Sequence, residues 1–480
     1  MRDVARQFKT LLQKSPITPG HWYRPIFGLV ALAIPLAPAA SAVPVGESIS
    51  SSAAASSAQV RVVTYQGRND GDSSYFAASI LPSADDLLLQ EVEKPAADLI
   101  VVVDTSASQS GDFRRESFAA LSTVLRTVRS RDRLQIYAAD VDAVAMSSTL
   151  RPSTDSGVSA AVKGLQRRLP LGNTNMVSVI DAVRGSLLAQ PRNHTRSIVY
   201  IGDGATIEAA SNEERFASLI DALRADHISV HSIAIGPTTN VELMAILANQ
   251  TGGVLGIVNE SDGNTAAAIA RRVAESAVRS PIWIDNAKLP AAMTIVHGKR
   301  FPPLRVDRDS ILLGRITGNA DSVKLALNGL TPTARIQITT DADIEKGNPD
   351  FAFLTGLVDQ AQKNQGLTLP TASSVLLRET ANIMASQSDE LVRAGELALK
   401  RGNKKGAKAV AEMALEADPN NENAKTLKKV SGTTLIIQND DIGSLFGDPS
   451  PAPAPAADDP FGEPAPAPAP TADNPFGDPA

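Results

Sequence analysis

Between Asp98 and about residue 280 the chain alternates short apolar runs with stretches of helical period, and no other feature of the sequence narrows the fold as much. The runs are "LIVVV" (99–103), "RLQIYAA" (133–139), "SIVYIG" (197–202), "ISVHSIAIG" (228–236) and "VLGIV" (254–258). All are of strand length, and a run such as "LIVVV" lacks the apolar–polar alternation of a half-exposed strand. Between them Leu121, Val124, Leu125 and Val128 recur at helical spacing, and similar patterns occupy 176–188, 214–224, 240–248 and 265–278. Strands buried on both faces and joined by amphipathic helices imply a doubly wound, mainly parallel α/β sheet. Such a sheet binds ligands where its strands reach their carboxyl edge.

The first run ends in "DTSAS", which puts Asp104, Ser106 and Ser108 at alternate positions. Once the chain leaves the sheet edge, all three side chains can turn toward one point. Oxygen donors of this kind suit a hard divalent cation such as Mg²⁺ or Mn²⁺. One acid is little charge for such an ion, so a neighbouring strand must supply more. "SIVYIGDG" ends in Asp203 followed by Gly204, and the loop "LGNTNM" sets Thr174 just before a helix.

In these positions the sequence resembles the von Willebrand factor A domain: D-x-S-x-S after the first strand, a lone Thr after a Gly-containing loop, and an apolar strand ending in Asp-Gly. The resemblance spans residues 98–280 and implies a Rossmann-like α/β fold carrying a metal-ion-dependent adhesion site. It implies that Ser106, Ser108 and Thr174 hold Mg²⁺ or Mn²⁺, with Ca²⁺ also admitted, through their hydroxyls, while Asp104 and Asp203 act largely through bound waters. The partner so implied is a protein that presents Asp or Glu to the cation. Two positions depart from the family pattern. Ala107 stands where Gly is usual, so the loop must avoid positive φ there or accept a steric cost. Asn173 also stands where Gly is frequent, a milder change because Asn tolerates the left-handed region.

The flanks form separate units. Strand candidates lie within 59–97 ("VRVVTY" and "YFAASIL"), and a period of two returns over 281–345, as in "VKLALNG", which marks a small β-domain. The early strands have no parallel partner of their own and are expected to pair with that domain, leaving the α/β unit inserted between its halves. These flanks weakly resemble the inter-alpha-trypsin inhibitor heavy chain group. Residues 350–430 are helical, with a turn at Gly402 and Asn403 and a stop at Pro419, and the segment around "AEMALEADPNNENA" resembles a single tetratricopeptide repeat. After a short strand candidate, "TTLIIQ", the tail 441–480 contains no Lys or Arg. It repeats Phe-Gly-acid-Pro at Phe446, Phe461 and Phe476, and this composition is expected to be disordered.

At the other end, basic residues from Arg2 to Arg24 precede "IFGLVALAIPLA" and the small residues Ala40 and Ala42. This reads as a signal peptide over 1–42 cleaved after Ala42, followed by a flexible, Ser/Ala-rich stretch over 43–58. The apolar run is shorter than the roughly 20 residues that span a bilayer. The expected location is therefore secreted, periplasmic or cell-envelope, with no transmembrane segment in the mature chain. The absence of cysteine excludes disulfides, thiolate metal sites and cysteine nucleophiles. A formal net charge of −6 without a basic stripe argues against nucleic acid as a partner.

No catalytic residue is assigned. No G-x-S-x-G elbow or phosphate loop follows a strand. His227 and His231 flank an alternating strand without a nearby acid and are expected at solvated or edge positions, and "KRGNKKGAK" reads as a solvated helix end. The expected function is an exported, metal-dependent protein-binding module. The alternatives are an envelope scaffold with a non-functional metal site and a metal-assisted hydrolase, the latter lacking any indicated general base near Asp104.

Overall fold

The computed structural model describes residues 54–67, 71, 73–204, 213–259 and 263–432. The signal peptide expected over 1–42, most of the segment 43–58, "TTLIIQ" and the tail 441–480 lie outside the described residues. In chain order the strands are β1 (Ala54–Ser56), β2 (Ala58–Tyr65), β3 (Ser73–Pro82), β4 (Ala97–Asp104), β5 (Arg133–Ala139), β6 (Ala143–Ala145) and β7 (Thr195–Gly202). They continue as β8 (Ile228–Ala234), β9 (Leu255–Ile257), β10 (Trp283–Lys288), β11 (Met293–Ile295), β12 (Ser310–Thr317), β13 (Ser322–Leu330) and β14 (Arg335–Glu345).

The central sheet has the order β6-β5-β4-β7-β8-β9 and is parallel except for the short edge strand β6. Its strands are buried on both faces because helices cover both. Leu99, Val101 and Val103 of β4 pack into one core with Leu121, Val124, Ile269 and Val273. The intervening Ile100 and Val102 enter the other, with Ile180, Val183, Ile220 and Leu247. Alternate residues of one apolar run thus serve two cores, each fully buried aliphatic side chain contributing about 1.5–3 kcal/mol.

A second sheet runs β10-β13-β14-β2-β3-β12-β11, with β1 parallel to β14. Strands from before the α/β unit (β2, β3) sit between strands from after it (β14, β12), so the chain leaves this sheet, builds the α/β unit and returns. The helix Leu354–Lys363 covers one face, where Leu354, Leu357 and Val358 meet Tyr75, Ile311 and Leu313. Beyond it, the helices Ser374–Lys400, Lys404–Ala417 and Glu422–Gly432 pack through Leu399, Ala407, Ala411 and Leu427.

Two arginines, the buried Arg305 and the half-buried Arg308, join the α/β unit to the second sheet. Arg305 donates to the carbonyls of Gly252 (3.0 Å) and Ser276 (2.7 Å), at the C-terminal ends of the helices Val241–Thr251 and Ala266–Ala277, and pairs with Asp307. Arg308 donates to Gly253 O (2.9 Å) and to Ala372 O.

Several elements differ from the sequence reading. From Ala54 the segment read as flexible is strand, because β1 pairs with β14, distant in sequence, and the start of β2 pairs with the end of β3. Helices at Asp86–Glu93 and Ser156–Arg167 carried no expectation. Each has a legible start, since Asp85 accepts from Leu88 N–H (2.8 Å) and Asp155 from Gly157 N–H (2.7 Å). Gly157 and Gly164 weaken the helical pattern of the second. His231 is not at a solvated edge. It is fully buried in β8 between β7 and β9, its Nδ1 accepting from Val254 N–H (3.2 Å) and its Nε2 donating to Ser229 Oγ (3.1 Å). Burial holds its imidazole well below the ordinary value, so it is neutral.

Candidate metal centre

The carboxyl edge of the central sheet gathers all five oxygen-bearing residues singled out from the sequence. Asp104 is the last residue of β4, Asp203 follows β7 directly, Ser106 and Ser108 lie in the loop after β4, and Thr174 precedes the helix Met176–Leu188. Asp104, Ser106, Thr174 and Asp203 are buried, while Ser108 is half-buried.

Their side chains form one continuous chain of contacts. Asp104 Oδ1 accepts from Ser106 N–H (2.8 Å) and from Thr174 Oγ1 (2.7 Å). Ser106 Oγ and Ser108 Oγ share a hydrogen bond of 2.9 Å, and Ser108 Oγ donates to Asp203 Oδ2 (2.5 Å). Three further hydrogen bonds hold this arrangement from outside, two between backbone groups and one from a side-chain amide. Asn240 N–H donates to Asp203 O (2.7 Å), Ala107 N–H to Gly172 O (3.0 Å), and Gln109 Nε2 to Ile235 O (3.0 Å).

Neither family departure obstructs the loop. Ala107 is not among the residues with positive φ, and Gly172, one residue before Asn173, takes the left-handed turn at φ 74°. The loop thus follows the first of the two routes open to an alanine at that position.

Sequence reasoning missed two participants. Tyr200 is fully buried on β7 and donates to Asp104 Oδ2 (2.7 Å). The available signal was a phenol inside an apolar strand, a group that needs a hydrogen-bond partner once buried. Gly202 is the other. A Cβ on this residue would stand 2.3 Å from Asp104 Cβ, so only glycine lets the neighbouring strand deliver that carboxylate. Burial raises the Asp104 carboxyl above its ordinary value, the Tyr200 hydrogen bond opposes this, and the charge of Asp203 adds to the rise. Burial, then the adjacent Asp104 charge, lifts the Tyr200 phenol well above its ordinary range, so it remains a donor.

The donor set is all oxygen: three hydroxyls and two carboxylates. It fits a hard divalent cation and offers nothing to a soft one. Among the described residues no group of three His, Cys, Asp or Glu side chains converges on a metal position, so any cation held at this edge depends on the hydroxyls. Also among the described residues, no helix is long and apolar enough to cross a membrane.

Among solved structures the chain is similar to a von Willebrand factor type A protein from Catenulispora acidiphila, at 13% identity over 82% of this chain and 96% of that one, with a TM-score of 0.43. It is also similar to the ArnB paralog VWA2 from Sulfolobus acidocaldarius, at 14% identity over 81% and 96%, with a TM-score of 0.38. No curated protein matches. The sequence profile described as "von Willebrand factor type A domain" matches residues 97–257, from the first residue of β4 to the last of β9. Domains of this type commonly bind proteins. With its sheet order, its strand-end oxygens and this match together, residues 97–257 of the chain are a von Willebrand factor type A domain.

Proposed function

We propose that the protein is a metal-dependent protein-binding module, exported from the cytoplasm, that captures a carboxylate of its partner at the Asp104–Asp203 edge. The observation that carries this reading is the convergence, among the described residues, of Ser106, Ser108 and Thr174 with two acids, Asp104 and Asp203, in one hydrogen-bonded cluster. The three hydroxyls would hold Mg²⁺ or Mn²⁺, with Ca²⁺ also admitted, and the two carboxylates would orient waters around it. When bound, the cation supplies positive charge that so few acids leave uncancelled, and hence attraction for an Asp or Glu of the partner. Asp104 is held on both oxygens by Ser106 N–H, Thr174 and Tyr200, so its position does not depend on the ion. No proton transfer or bond cleavage belongs to this reading, which is of binding and not of catalysis.

The export part of the proposal rests on the leader-like segment 1–42 with cleavage after Ala42, and N-terminal sequencing of the native protein tests it. The binding part is tested by Mn²⁺ calorimetry on the full chain, together with partner capture from a cell-envelope extract with and without chelator. Metal binding with chelator-sensitive capture is the expected result. Absence of any Mn²⁺ heat, or capture indifferent to chelator, overturns it.

A further inference from the structure

Among the described residues, the three most exposed large apolar side chains are Leu169 (70%), Val141 (69%) and Leu171 (63%). Single exposed aliphatics are ordinary, but these three stand on two loops that meet beside the candidate metal centre. Asp140 pairs with Arg168 (2.6 Å), and Arg168 Nε also reaches Thr105 Oγ1 (3.3 Å). Leu171 N–H donates to Thr105 O (3.0 Å), and Ala107 N–H to Gly172 O (3.0 Å). Val141 lies over Gly172, where an added Cβ would meet its Cγ2 at 3.0 Å. An apolar rim is thus pinned by backbone and ion-pair contacts to the residues that flank Ser106. A rim already held in place binds without the cost of ordering a loop.

The chain itself carries a segment that matches this surface. Phe446, Phe461 and Phe476 are each followed by Gly, an acid (Asp448, Glu463, Asp478) and Pro. Each repeat therefore sets an aromatic ring two residues from a carboxylate, the pair of groups that an apolar rim beside a cation would take. The described chain ends at Gly432, and Phe461 lies 29 residues further on. Fully extended, that stretch covers about 100 Å. A compact fold of this length has a radius of gyration of about 21 Å, so the second and third repeats can reach any face.

We infer that the Phe-Gly-acid-Pro repeats of the tail dock in cis on the Val141–Leu169–Leu171 rim, with the acid of the repeat directed to the cation position. This rests on the metal-binding reading above and deepens it. The chain carries its own ligand, and a partner must displace it. Without a cation, docking fails, because a third carboxylate would meet the charges of Asp104 and Asp203. Three copies on one tether raise the local concentration of a contact that is weak singly.

The test uses a fluorescent peptide of residues 457–468, containing Phe461 and Glu463, titrated by anisotropy into the full chain and into a full chain carrying Phe446→Ala, Phe461→Ala and Phe476→Ala. Mn²⁺ calorimetry on the same proteins reads the metal separately. In Mn²⁺ the triple variant is expected to bind the peptide at least about tenfold more tightly than wild type, whose own tail competes. Chelator should abolish binding, and a peptide carrying Phe461→Ala or Glu463→Gln should lose about tenfold or more. Adding Leu169→Ser and Leu171→Ser to the triple variant should weaken the peptide while leaving Mn²⁺ affinity unchanged. If Mn²⁺ binds and the peptide does not, the docking inference falls and the metal reading stands. If Mn²⁺ does not bind, the metal reading falls and takes the inference with it. Equal peptide affinity in wild type and triple variant overturns docking in cis, and binding that persists in chelator overturns the role given to the carboxylate.

Discussion

Tyr200 donates its phenolic hydrogen to Asp104 Oδ2 across 2.7 Å, joining two residues 96 positions apart at the edge where Thr174 and Ser106 N–H take the other carboxylate oxygen. Tyr200 lies one strand away, its backbone paired with Val102. The carboxylate of Asp104 is therefore fixed from two strands and two loops at once, and both of its oxygens have donors.

Tyr200→Phe removes the donor to Oδ2 and leaves a buried acceptor open. Denaturant melts in chelator should show a loss of about 1–3 kcal/mol, the usual cost of an orphaned buried polar group. An unchanged midpoint would mean that water replaces the phenol at no cost.

Asp104→Asn keeps an oxygen acceptor for Ser106 N–H and Thr174 but removes the charge. Metal-free stability should rise, since burial and the Asp203 charge both act against an ionised Asp104. Mn²⁺ affinity, read by calorimetry, should fall by about tenfold or more. If it does not, the strand-end oxygens serve only as loop caps. Asp104→Ala is the poorer test, because it strands three donors together.

Arg305→Met breaks the junction between the α/β unit and the second sheet. It leaves Asp307 without its guanidinium and opens the carbonyl of Gly252, while Ser276 O keeps the N–H of Arg279 (3.2 Å). Burial alone would raise the Asp307 carboxyl, yet Arg305 holds it well below the ordinary range. Losing one partner of a buried pair typically costs about 3–5 kcal/mol. Urea melts should show that loss, and adding Asp307→Leu should restore part of it.

Acid should destabilise the fold through its buried histidines. Burial, then the charge of Arg224, lowers the His297 imidazole from 6.5 to about 3, and burial lowers His231 in the same direction. Between those values the unfolded chain binds protons that the native one does not. The His297 contribution is then flat above about pH 6.5 and falls as pH drops toward 3, by about 1.4 kcal/mol per pH unit, and His231 adds to the fall in the same direction. Melts at pH 7.5, 6.0 and 5.0 should show this slope, and His297→Phe should reduce it.

Much of the α/β unit could be read from the chain because its signals are local. "LIVVV" declares a strand buried on both faces, and Met176–Leu188 shows its helical period over the same residues the helix occupies. "DTSAS" and "GDG" could be recognised for a related reason: a strand end followed by a short loop leaves little choice about where those oxygens lie, whereas Thr174, in a loop between two helices, was legible only through the family resemblance. What tertiary structure decided depends on partners distant in sequence. Nothing near Tyr200 says that its hydroxyl will meet Asp104, nor near Gly202 that an Asp104 Cβ will lie against it. His231 and Arg305 look like surface residues, and become core only because β9 covers the one and two helix ends require the other. The same holds for β2 and β3, whose partners β14 and β12 arrive after more than 200 intervening residues. Local period selects the element, but hydrogen-bond partners and burial belong to the assembled sheet, because both are satisfied only once distant strands lie side by side.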